Sequence, residues 1–144
     1  MSSVTRKFNT VAVLMGGWSA ERDVSLASGK ACADALGSEG YQVVRVDAGR
    51  DLAARLAEIG PDACFNALHG RWGEDGCVQG LLEVLAIAYS HSGVRASSVA
   101  MNKELTKRIV RAVGVPVAEG LTVRREDALA AHVLEPPYVA KPIA

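Results

Sequence analysis

The eight residues His69-Gly70-Arg71-Trp72-Gly73-Glu74-Asp75-Gly76 put one imidazole, two carboxylates, one guanidinium and three glycines directly behind the apolar stretch Asp62 to Leu68. A plain turn does not need that much ionisable chemistry. His69 has the side chain that titrates nearest neutral pH, so at a strand end it could hydrogen-bond or protonate an anionic group. Glu74 and Asp75 would open the next helix and orient it or its neighbours. The alternative is a satisfied loop histidine with ordinary capping acids. His91 and His132 read as surface or capping residues.

A second cluster, Gly16-Gly17-Trp18-Ser19-Ala20-Glu21-Arg22-Asp23, follows the apolar run Thr10 to Met15. Paired glycines allow a tight turn, Ser19 is a competent N-cap, and Glu21 falls in the expected first helical turn. The positive helix end stabilises a carboxylate there by roughly 0.3–1 kcal/mol, keeping it ionised and able to hold an ammonium group. Equally, Glu21 and Asp23 could be no more than favourable first-turn acids. The cluster is not a dinucleotide loop, because the G-x-G-x-x-G pattern is missing. A third group is cationic: Lys103 on a helix beside Lys107 and Arg108, and Lys141 in an apolar terminal stretch before Pro142. Burying an unpaired ammonium costs several kcal/mol, roughly, so Lys141 on a strand suggests an anionic partner such as phosphate. Lys103 could instead lie on a solvated helix face.

The elements that must position these residues follow from hydrophobic period. Thr10 to Met15 is a β-branched run, and from Glu21 the spacing turns helical with Val24, Ala27, Ala31 and Ala35 on one face. Tyr41 to Val46 reads as a second strand, and Leu52 to Ile59 as a helix closed by Gly60-Pro61. Asp62 to Leu68 reads as a third strand, Val78 to Ile87 as a helix, and Ala88 to Ser90 as a brief fourth strand. Alternating strands and helices imply a parallel sheet with right-handed crossovers, an α/β layer fold of Rossmann-like type. In such sheets ligands bind beyond the carboxyl ends of the strands, where the first two clusters would converge.

After Gly93 the pattern changes. Ser97 or Ser98 can cap a helix with Met101, Leu105, Ile109 and Val113 in one stripe, stopped by Gly114 and Pro116. One strand and a short helix should follow, and residues 136–142 read as a strand whose edge lacks a partner. The expected organisation is an α/β domain over residues 1–96 and the beginning of a second over 97–144, the first third to half of something longer.

Composition bounds the partners. The chain has 144 residues, 49% of them hydrophobic, with 16 Lys+Arg against 16 Asp+Glu. A formal charge of zero removes the footprint of a general nucleic-acid or membrane-surface binder, so an anion must be gripped locally. The longest apolar runs fall far short of the roughly 18–20 residues of a membrane span. The amino-terminal apolar core is also too short for a secretory signal, which points to the cytoplasm. Cys32, Cys64 and Cys77 lack zinc spacing and read as buried small thiols.

GGWSAERDVSL (Gly16 to Leu26) and HGRWGEDGCVQG (His69 to Gly80) resemble the signatures of the D-alanine:D-alanine ligases. The second fits H-G-x-x-G-E-D-G-x-[aliphatic]-Q-G at every specified position. Ser90 to Gly93, Met101-Asn102-Lys103, GVPVAEG and VAKP resemble that family's passage into its ATP-grasp domain, so the similarity spans essentially the whole chain. Trp18 and Trp72 depart from the usual small residue and glycine, and read as subfamily variation at the crevice mouth.

The resemblance implies an ATP-dependent ligase that joins two D-alanines through an acyl phosphate for peptidoglycan precursor synthesis. The first 96 residues would be its substrate-binding domain and the rest the truncated beginning of an ATP-grasp domain. Glu21 would hold the ammonium of the first D-alanine, with Val24 beside it and His69 by the carboxylate being activated. An ammonium–carboxylate pair at about 4 Å is worth roughly 4 kcal/mol at an effective dielectric of 20, before desolvation. Lys103 and Lys141 correspond to two early ATP-phosphate lysines. The magnesium ligands are expected downstream of Ala144, with no metal site in these residues. Lacking that electrostatic stabilisation, the 144 residues alone are expected to be inactive. The resemblance also implies a homodimer through the first domain. Two other readings stand beside it: a D-alanine:D-lactate or D-serine ligase, and a non-catalytic α/β module for small-ligand binding or dimerisation.

Overall fold

The computed structural model describes residues 8–143. These form two units, dividing at Ser98 and Val99. The first contains β1 (Thr10–Met15), α1 (Arg22–Ser38), β2 (Gln42–Asp47), α2 (Leu52–Ile59), β3 (Ala63–Asn66), α3 (Cys77–Val84) and β4 (Ala88–Tyr89). Helix α4 spans Val94–Met101, and the second unit holds α5 (Lys103–Ala112) and α6 (Arg125–Ala130).

The four strands form one parallel sheet in the order β2-β1-β3-β4, with Val11 opposite both Val43 and Ala63. β1 is buried from Val11 to Met15 because both faces of a central parallel strand are covered, which is why it reads as a continuous apolar run. Ala12 and Leu14 face a core completed by Val46, Cys64, Leu68, Leu52 and Leu56 of α2, and Val78 and Leu82 of α3. Val13 and Met15 face the opposite way, packing with Ala67 and with Ala33 of α1. Helix α1 therefore covers one face of the sheet, and α2 and α3 cover the other.

Helix α1 corrects the expected apolar face. Ser25, Gly29 and Ala33 are buried, whereas Val24 is 56% exposed. The stripe that meets the sheet consists of small residues on a different face from the one expected, and the helix sits close: a Cβ on Gly29 would stand 2.4 Å from the Cβ of Met15. Ser25 is fully buried and donates its hydroxyl to the carbonyl of Ala67 at 2.7 Å, so its polar atom is satisfied.

The second unit departs further from expectation. Asn102 breaks the single expected helix by capping α5, its side chain accepting from the amide of Leu105 at 2.9 Å. Ser97 is not a cap but lies inside α4, donating to the carbonyl of Ser92. Neither expected strand forms among the described residues of this unit; a strand needs a ladder partner, and none is provided there. Lys141 accordingly lies exposed on irregular chain, where water solvates its ammonium, so the burial argument for an anionic partner falls away.

The cysteines differ from one another. Cys64 is buried, and burial pushes its thiol up to about 11, but Cys32 is only half-buried and Cys77 is exposed at the start of α3. No described helix is long and apolar enough to cross a membrane.

Candidate functional site

β1 lies between β2 and β3, so the chain leaves β1 toward one side of the sheet for β2 and returns past it to the other side for β3. This reversal opens a crevice beyond the carboxyl ends of β1 and β3, the switch point at which open α/β sheets bind ligands. The two loops that enter it are residues 16–21 after β1 and 67–76 after β3.

Ser19 joins those loops. Its hydroxyl donates to the carbonyl of His69 at 2.9 Å and accepts from the amide of Glu21 at 3.2 Å. Glu21 occupies the N-cap position of α1 rather than its first turn, and its side chain makes no cap hydrogen bond. Its carboxylate instead approaches the loop after β3: a Cβ on Gly70 would lie 2.4 Å from Glu21 Oε2. Gly70 has φ +71°, and its amide donates to Glu74 Oε2 at 2.6 Å. Two carboxylates thus converge on the Gly70 peptide, which requires a residue without a side chain.

His69 is half-buried, with Nε2 2.9 Å from Ser28 Oγ. Ser28 also donates to the carbonyl of Val24, one turn earlier in α1, at 2.7 Å. The structure therefore brings Glu21, Val24 and His69 into one neighbourhood, although Val24 takes part through its carbonyl and exposes its side chain.

The surrounding frame is polar. Arg22 grips Asp47 at the end of β2 through two hydrogen bonds of 2.7 and 2.6 Å, and donates to the carbonyl of Gly17 at 2.9 Å. The Arg22 hydrogen bond holds the Asp47 carboxyl below its ordinary range, outweighing the opposite effect of slight burial. Gly16, at φ +74°, passes so close that a Cβ there would meet Asp47 Oδ1 at 2.2 Å.

Asn66, which was not foreseen, and Gln79, noted only as a signature position, hold the loop after β3. Both donate to the carbonyl of Gly73 at 2.8 Å, and Gln79 Oε1 accepts from the amide of Gly76 at 3.1 Å. Each is a buried amide interrupting an apolar stretch, and that interruption is the signal sequence reading could have used. Asp75, expected to orient the next helix, accepts from the amide of Cys77 at 3.0 Å, just ahead of α3.

Trp18 and Trp72 meet at the crevice with ring centroids 5.8 Å apart and planes tilted by 43°, Arg50 lying over the first ring and Arg71 over the second. Beneath them is a cavity of ≈ 20 Å³ lined by Gly17, Leu68, His69 and Trp72, among others, with room for about one water and not for an amino acid. A wider, shallow groove of ≈ 600 Å³ lies along α1 and β2, near Asp34 and Arg45, and none of the candidate residues line it.

Lys103 and Lys141 belong to the other unit, and both are exposed. The Lys103 amide donates to the carbonyl of Ile143 at 3.0 Å, which ties the start of α5 to the segment carrying Lys141. Among the described residues no group of three or more His, Cys, Asp or Glu side chains could hold a metal ion. His91 approaches Asn66 Nδ2 at 3.3 Å, and His132 pairs with the hydroxyl of Tyr138 at 3.0 Å.

Residues 49–92, which include the whole loop after β3, fit the model of the D-ala D-ala ligase N-terminus. The chain is 63% identical over 134 residues to the D-alanine:D-alanine ligase of Parvibaculum lavamentivorans, an alignment covering 93% of this chain and 44% of the relative. This chain belongs to the D-alanine:D-alanine ligase family. Its fold agrees: the D-alanine:D-alanine ligase of Bacillus anthracis superposes with a TM-score of 0.69 at 33% identity, over 84% of this chain and 42% of that one. The same Bacillus anthracis ligase complexed with ATP gives 0.69 at 32% identity, covering 87% and 43%. The chain thus spans less than half the length of these relatives and corresponds to the amino-terminal part of the ligase architecture.

Proposed function

We propose that this chain supplies the first-substrate half of an ATP-dependent enzyme that joins two D-alanines. The observation carrying this reading is that loops from two separate strands, tied through Ser19, bring a carboxylate and an imidazole to one crevice. Such a pair suits a small zwitterion: Glu21 would hold the ammonium of the first D-alanine, and His69 would lie beside its carboxylate. Val24 would border the same substrate on the α1 side.

ATP, when bound, would convert that carboxylate to an acyl phosphate. The amine of a second D-alanine would then form the new C–N bond as the C–O bond to phosphate breaks, giving D-alanyl-D-alanine, ADP and phosphate. Lys103 and Lys141 suit the phosphates chemically, as exposed cations on one unit. His69 would hydrogen-bond the activated carbonyl as negative charge grows on its oxygen, the kind of contact that is stronger in the transition state than before it. Magnesium ligands would come from outside these residues, as would the choice of D-alanine over D-lactate or D-serine. A cytoplasmic location, a role in peptidoglycan synthesis and cell shape, and a homodimer through the first unit complete the proposal.

The test is a chimera in which the 144 residues replace their aligned counterpart in the Parvibaculum lavamentivorans relative. The chimera should release phosphate from ATP only when D-alanine is present, whereas the 144 residues alone should release none. Phosphate release by the chimera that is indifferent to D-alanine would overturn the proposal and favour a non-catalytic module.

A further inference from the structure

The contact between Ser28 and His69 fixes more than a position. A serine hydroxyl has one proton to donate. In Ser28 that proton is directed to the carbonyl of Val24, an acceptor only, at 2.7 Å. The bond of 2.9 Å between Ser28 Oγ and His69 Nε2 must then run the other way, with the ring nitrogen donating. This back-bond to the preceding turn is a common habit of helical serines, here extended by one further donor.

We infer that Ser28 is a positioning residue that locks neutral His69 in the tautomer with its proton on Nε2. Nδ1 then carries the lone pair, and it is the ring nitrogen left to face a ligand. Neutral Nδ1 can accept a hydrogen bond but cannot donate one to a carboxylate. A carboxylate approaching Nδ1 is met instead by the imidazolium, in which both nitrogens donate: Nε2 to Ser28 and Nδ1 to the ligand. The tautomer follows from the hydrogen-bond network alone, while its consequence for a carboxylate rests on the function proposed above. The carbonyl of His69, held by Ser19 at 2.9 Å, fixes the backbone from which the ring projects, so Ser19 and Ser28 restrain the same residue at two ends.

The test uses the 144-residue chain labelled with ¹⁵N at its histidine rings. Long-range ¹H–¹⁵N correlation distinguishes a protonated ring nitrogen from a bare one, and a His69→Gln variant identifies the signals of His69 among the three histidines. Above the ring's titration range, His69 should show Nε2 protonated and Nδ1 bare. Ser28→Ala should let the two tautomers mix, and Ser28→Thr, which keeps the hydroxyl, should restore the single form. Protonated Nδ1 in the parent chain would overturn the inference without recourse to any variant, as would an unchanged tautomer in a folded Ser28→Ala. Addition of D-alanine should move His69 toward the imidazolium pattern. A ring that stays Nε2-protonated and unmoved by D-alanine would overturn the substrate reading while leaving Ser28 in its role.

Discussion

Gly70 sets the space in which the Glu21 carboxylate stands. Its φ of +71° favours glycine, and the space where a Cβ would stand is filled by the Glu21 carboxylate. That carboxylate is the far end of a flexible side chain, so Gly70→Ala should displace it rather than unfold the protein. We expect a stability loss of about 1 kcal/mol from the left-handed backbone, read by urea denaturation. In the active chimera the same substitution should raise the KM for D-alanine by an order of magnitude or so. An unchanged KM would mean that the position of Glu21 is irrelevant to substrate binding. At this scale the sequence was partly legible. The types and spacing of Glu21 and His69 singled them out, and the strand ends placed them on neighbouring loops, where the structure has them. Ser19 and Ser28 were harder to see, because a hydroxyl's role depends on what lies across a loop from it, and sequence spacing holds no such information. Ser19 was read as a cap and instead bridges two loops.

At the scale of elements, strands were easier to read than the helix face that covers them. β1 has both faces buried, and its uninterrupted apolar residues announce that directly. In α1 the expected stripe of Val24, Ala27, Ala31 and Ala35 lies off the buried face, which runs through Ser25, Gly29 and Ala33 because small residues let the helix sit close to the sheet. Two substitutions in this helix should therefore act with opposite sign. Gly29→Ala drives a Cβ into Met15 and should cost about 1–2 kcal/mol, the overpacking penalty less the gain in helix propensity. Gly37→Ala meets nothing within 4 Å and should stabilise by about 0.5–1 kcal/mol. Chemical denaturation of the two variants decides the matter, and equal effects would show that α1 does not approach the sheet so closely.

The clasp between α1 and β2 adds a pH dependence. Arg22 lowers the Asp47 carboxyl in the folded state, so the pair contributes stability above the ordinary carboxylate range and loses it as pH falls through the lowered value. The denaturation midpoint of the chain should fall on acidification below about pH 4, and Asp47→Asn should flatten that decline. Asp62, lowered by hydrogen bonds from the amides of Thr10 and Asn9, should leave a residual slope in the variant. A slope identical in parent and variant would show that the clasp contributes nothing.

For the molecule as a whole, alternation of strands and helices was enough to give the layered fold of the first unit, because parallel strands require crossover helices and those helices require two faces to cover. The second unit was read less well. Its two expected strands, one after Pro116 and one around Lys141, have no ladder partner among the described residues, and β structure depends on partners in a way helices do not. Asn102 illustrates the same limit: its capping side chain divides two helices where apolar spacing alone suggested one. The strand order, by contrast, explains why residues far apart in sequence lie close together. With β1 placed between β2 and β3, Glu21 and His69 meet at the switch point across a separation of some four dozen residues.

The most direct test of this account is D-alanine-dependent phosphate release by the chimera, measured beside its Glu21→Gln and His69→Gln variants. Both substitutions keep side-chain size and remove, respectively, a negative charge and an imidazole. Loss of a substrate-holding charge or of a donor to developing negative charge is worth about 100-fold or more in kcat/KM. Each variant should fall by at least that factor while its urea midpoint stays near that of the parent. Release that survives both substitutions would contradict it, placing the first substrate somewhere other than the crevice between β1 and β3.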